Sequence, residues 1–169
     1  SAEVIAKRTA EIIIKELNLE RIAILSPGNG QIKLLTDHFI NECRQLGIDP
    51  VAIEWYIEKP EDISRQLKNI RGTAWDLVPE DEKEDFTLNL EIDSLDALFD
   101  VDVNDFFELP SEDKLEDMDK KDSAKVILET IEAFYVPIRS DELTFIGTQI
   151  PLYNFNTLFF VNENWLEMS

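Results

Sequence analysis

Apolar positions along the chain follow two periods that alternate. From Ala2 to Leu17 they recur at helical spacing, with Ile5, Ile12, Ile13 and Leu17 supplying much of one face and Glu, Lys and Arg the other, so a helix is predicted that ends at Asn18. "RIAIL" (21–25) is a short β-branched run suited to a buried parallel strand, and Ser26 to Gly30 is the turn after it. Helical spacing returns from Gln31 to Leu46, placing Leu34, Leu35, Phe39 and Cys43 on or near a core face, with Gly47 where a left-handed cap belongs. "PVAIEWYI" (50–57) reads as a second strand. Pro60, with Glu61 and Asp62 beside it, opens a third helix through Ile63, Leu67 and Ile70.

The second half resumes the rhythm, with a strand near Ala133 to Ile138, a helix that starts at Ser140 to Glu142 and reaches about Leu152, and a further strand in "NTLFFVN". Strands alternating with helices predict one α/β domain over residues 1–169, a three-layer Rossmann-like (flavodoxin-like) lobe with a mainly parallel sheet. Residues 79–125 interrupt it as an acidic insertion. Pro79 to Asp122 hold eighteen acidic and four basic residues, a net −14 of the chain's −20. Leu88, Leu90, Ile92, Leu95, Leu98 and Phe99 run through this stretch, so a short strand "TLNLEI" and a helix around "SLDALF" are expected, with full disorder the competing expectation because like charges oppose compaction.

Charge narrows the partners. With 36 acidic against 16 basic residues the chain repels nucleic acid and anionic lipid, and it has no basic patch to offset that repulsion. Cys43 is the single cysteine and His38 the single histidine, which excludes an internal disulfide and a thiolate zinc site. No stretch has the apolar length of a membrane span and no signal peptide is visible. The Ser-Ala start reads as that of an excised piece, with targeting and neighbouring regions outside it. "DVDVNDFFELPSE" places Asp100, Asp102 and Asn104 in the first ligand positions of a calcium loop. It then has Asp105 where the loop needs Gly and Ser111 where it needs a bidentate Glu, so a solvated acidic face is the better reading.

The stretches "IAILSPGNGQIKLLTDHFINECRQLGIDPVAIEWY", "EDISRQLKNIR" and "IEAFYVPIRSDELTFIGTQIPLYNFNTLFFVNENW" resemble one lobe of the type I periplasmic binding proteins. That family includes branched-chain amino acid receptors and the lipoprotein activators of penicillin-binding proteins. The resemblance covers about Ala2 to Trp75 and Thr130 to Trp165 and brackets the insertion. Gln31-Ile32 stand where the family often has Tyr-Gly. The resemblance implies an extracytoplasmic, non-catalytic, solute-binding lobe without a cofactor. Such a lobe captures an amino acid or short peptide in a cleft shared with a second lobe of the same parent protein. An alternative is a protein-interaction module with a degenerate receptor fold, such as an activator of a cell-wall enzyme.

Ligands of open α/β sheets lie beyond the carboxyl ends of the strands. The candidate ligand-binding residues are therefore Ser26, Gly28, Asn29, Gly30 and Gln31 in the first turn, Trp55 and Tyr56 after the second strand, Arg139, and Asn162. Gly28-Asn29-Gly30 lacks both G-x-G-x-x-G and the Walker pattern, so a nucleotide phosphate is the weaker use of this turn. Trp55 and Tyr56 suit stacking on a ligand or closing a core, and Arg139 suits pairing a carboxylate or a surface ion pair. No catalytic residue and no metal ligand is singled out, because acidic residues are too abundant for a catalytic pair to be picked.

Overall fold

The computed structural model describes residues 1–57, 63–86, 126–139 and 141–161. Helix α1 (Ala2–Glu11) runs into a π-helical turn (Ile12–Glu16), and β1 (Ile22–Pro27) follows. Next come α2 (Gly30–Gln45), β2 (Ala52–Tyr56) and α3 (Ser64–Asp76). Residues 80–86 are also helical, and beyond the acidic stretch come β3 (Ala133–Tyr135), α4 (Leu143–Gln149), a 3₁₀ turn (Ile150–Tyr153) and β4 (Leu158–Phe160). The strands form an all-parallel sheet in the order β2-β1-β3-β4.

This order explains the layers. The chain moves one way from β1 to β2 and returns across β1 to reach β3, so crossovers of one hand must put α2 and α3 on opposite faces. The side chains agree with that. Ile22 and Ile24 share a core with Leu35, Phe39 and Cys43 of α2 and with α1, while Ala23 and Leu25 share the opposite core with Leu67, Ile70 and Ala74 of α3. From β3 to β4 the chain keeps its direction, and Ile146 of α4 joins the α3 side. β1 is buried on both faces, as a central parallel strand must be.

Several boundaries and faces differ from expectation. β1 extends through Ser26 and Pro27, which lie in the sheet and not in the turn. Along α1 and its π-helical turn the buried stripe is Ala6, Ala10 and Ile13, whereas Leu17 is 44% exposed. Positions 6, 10 and 13 are spaced by four and three, so they stack on one face, and alanines there let α1 approach α2 closely. On α2 Leu34 is 57% exposed. It lies one residue, about 100°, off the stripe through Leu35, Phe39 and Cys43. The predicted caps hold, with Asn18 at φ 55° ending the first helix and Gly47 at φ 86° ending α2. β3 and β4 are shorter than predicted, and the last helix closes as a 3₁₀ turn at Pro151, which cannot donate to an α-helical bond. The predicted "TLNLEI" strand, the "SLDALF" helix, the calcium-like loop at Asp100, Asp102 and Asn104, and Pro60 lie outside the described residues.

Cys43 links this core to pH. Burial, and then the charge of Glu42, pushes its thiol up from 9.0 to about 12. Unfolding releases a thiol that ionises near its ordinary value, so the contribution to stability is intact below about pH 9 and is lost as pH rises toward about 12. Denaturant titrations should therefore show stability falling by about 2 kcal/mol from this group between roughly pH 9 and pH 11. Cys43→Ala should be less stable at neutral pH but show a shallower alkaline decline. An unchanged slope in that variant would rule the thiol out as the cause.

Candidate functional site

The carboxyl ends of β2, β1 and β3 meet where the strand order reverses, which is the point at which open α/β sheets leave a crevice. A cavity of about 120 Å³ lies there, lined by Pro27, Asn29, Ile32, Tyr56, Arg139 and Glu142. Its polar walls come from the turn after β1, the end of β2 and the turn after β3.

The first turn is drawn down onto β2. Gly28 N–H donates to the Tyr56 carbonyl at 2.8 Å, and a Cβ on Gly28 would stand in ordinary contact, 3.4 Å from Trp55 Cβ. Gly30, at φ 74°, then swings the chain into α2 and leaves Asn29 at the cavity mouth with Ile32 behind it. From β2, Tyr56 is 3% exposed, and its hydroxyl donates to Glu142 Oε2 at 2.9 Å. Burial above all, with the Glu142 carboxylate adding to it, pushes the Tyr56 phenol far above its ordinary value and keeps it a proton donor. After β3, Glu142 N–H donates to the Arg139 carbonyl at 3.0 Å. This turn sets Arg139 and Glu142 side by side over the cavity.

Of the candidates named from the sequence, Asn29, Tyr56 and Arg139 converge here. Gly28 and Gly30 shape the turn without lining the cavity. Gln31 is exposed in the first turn of α2. Ser26 is fully buried within β1, where its hydroxyl lies 2.7 Å from that of Thr36. Trp55 points away as well. Neighbours in a strand face opposite sides of the sheet, so with Tyr56 turned to the cavity Trp55 packs toward α2, under Lys33 Nζ at 5.3 Å from its ring centre. Asn162 lies outside the described residues.

Sequence reasoning passed over the apolar wall residues Pro27 and Ile32 and the charged one, Glu142, the last because an acid at a helix start has a sufficient local reason in the helix dipole. The spacing of three between Arg139 and Glu142 across a tight turn was the available signal. A second cavity, of about 210 Å³, lies between α4 and β4 on the far side of the Ile138–Leu143 turn and is lined by apolar side chains including Val136, Ile146, Phe159 and Val161. It offers no group to orient a polar ligand. Among the described residues, no cluster of three His, Cys, Asp or Glu side chains is placed to hold a metal ion. Among them, too, no helix is long and apolar enough to cross a membrane. Comparison with models of known families, with curated protein sequences and with solved structures returned no match.

Proposed function

We propose that this chain is the ligand-binding lobe of an extracytoplasmic receptor-type protein. It holds a small molecule such as an amino acid or short peptide in a cleft shared with a second lobe, and it performs no catalysis. The observation that carries this reading is the polar cavity beyond the carboxyl ends of β1, β2 and β3. Its volume supports a half-site. At about 120 Å³ it is smaller than the roughly 300–1,000 Å³ of a complete small-molecule pocket, so an opposing lobe would supply the remaining contacts. The nearby hydroxyl of Ser26 argues for binding over chemistry, because it is fully buried against Thr36.

A thermal-shift and titration panel on the full parent polypeptide tests this, using amino acids, short peptides, nucleotides and calcium. An amino acid or peptide at about 100 times its Kd should raise the unfolding midpoint by about 5 °C or more. Arg139→Gln should weaken that ligand by at least about tenfold. A panel without any stabilisation refutes the proposal.

One feature favours a second reading, that of a protein-interaction module. β4 is the last described strand of the sheet, and Leu158 and Phe159 on it are 53% and 43% exposed. In a pull-down, a partner lost with Leu158→Ser and retained with Arg139→Gln would support that reading over ligand binding.

A further inference from the structure

Arg139 and Glu142 present opposite charges to one small cavity, yet among the described residues neither forms an ion pair with the other or with a third side chain. The carboxylate is held elsewhere. The Tyr56 hydroxyl donates to Glu142 Oε2 at 2.9 Å, while the turn fixes the Glu142 backbone by its hydrogen bond to the Arg139 carbonyl. Tyr56 is itself fixed, because it is 3% exposed and its carbonyl accepts from Gly28 N–H. A carboxylate has about four acceptor positions. One bond from Tyr56 orients the group and leaves most of that capacity for a ligand.

We propose that Glu142, positioned by Tyr56, is the specificity-determining residue of this site: it receives the ammonium group of a zwitterionic ligand whose carboxylate faces Arg139, and it repels dianions. The inference rests on reading the cavity as a ligand site, and it adds which residue chooses the ligand's charge. Arg139 by itself would accept any carboxylate or phosphate. Glu142 beside it makes a second negative charge on the ligand unfavourable and an ammonium favourable. The separated pair is thus a template for one positive and one negative group on the same small molecule.

Titration calorimetry on the full parent polypeptide tests this with the common L-amino acids, their N-acetyl forms, their C-terminal amides and inorganic phosphate. Acetylating the amine of the best amino acid should weaken it by roughly 10- to 100-fold in the wild type. Glu142→Gln should abolish that discrimination by weakening the free amino acid and leaving the N-acetyl form within about threefold. Tyr56→Phe should lose part of it and keep the preference for the free carboxylate over the amide, which a general loss of folding would not do. If Glu142→Gln keeps the full discrimination while Arg139→Gln removes binding, the site stands and this inference falls. If no probe binds, or if both variants match the wild type, the inference and the ligand-site reading fall together.

Discussion

Arg71→Met should lower stability by about 3–5 kcal/mol and the unfolding midpoint by roughly 6 to 20 °C. Arg71 lies in α3 and is only 8% exposed. Burial pushes its pKa down, which marks the cost of holding a charge there. What offsets that cost is a set of carbonyls from two segments distant in sequence. Nη1 donates to Tyr153 O at 2.7 Å and to Asn154 O at 3.1 Å, and Nη2 donates to Val126 O. Those segments meet each other at the Leu128–Phe155 bridge, and the Arg71 guanidinium lies 6.0 Å from the Phe155 ring centre.

Met keeps the length of the aliphatic stem but takes this donor from the part-buried carbonyls of Tyr153 and Val126, each loss costing on the order of 1–3 kcal/mol, while the Asn154 carbonyl keeps the Leu128 N–H. Lys should recover little, because one ammonium cannot reproduce the planar fork that reaches both segments. The measurement is equilibrium denaturation of wild type, Arg71→Met and Arg71→Lys at neutral pH. A loss below about 1 kcal/mol in the Met variant would show that water or neighbouring groups replace the fork.

Phe39→Ala should cost about 3–5 kcal/mol. Phe39 of α2 and Tyr135 of β3 are both fully buried, with ring centres 3.9 Å apart and planes inclined by 17°. Alanine would remove the ring that fills the space between α2 and the sheet, and a core braced by β1 and α1 can collapse only partly into the void. The control is Leu34→Ala in the same helix, expected within about 0.5 kcal/mol because Leu34 is mostly exposed. The same denaturation experiment decides between them. Equal losses for the two variants would mean that the stripe through Leu35, Phe39 and Cys43 is not the packed face.

The pair Leu34 and Phe39 also shows what a sequence conveys. Periodicity located α2 to within a residue at each end, but Leu34 and Leu35 are alike in composition and only the helix rotation against β1 separates an exposed leucine from a buried one. Ser26 and Tyr56 follow the same logic in strands. The period of two says that neighbours face opposite sides, and which side is the cavity depends on where the next strand and its turn lie.

Taken alone, the sequence determined the α/β class, the order of elements, the two helix-ending caps at Asn18 and Gly47, and the net charge of −20. These rest on local terms: spacing of apolar residues, backbone preference and composition. The strand order β2-β1-β3-β4 and the make-up of the cavity were decided only by tertiary structure. Parallel strands pair through backbone groups that every residue carries, so no local pattern names the partner. It is that pairing, together with the turns at its carboxyl edge, that brings Glu142 to Tyr56 across 86 residues of chain.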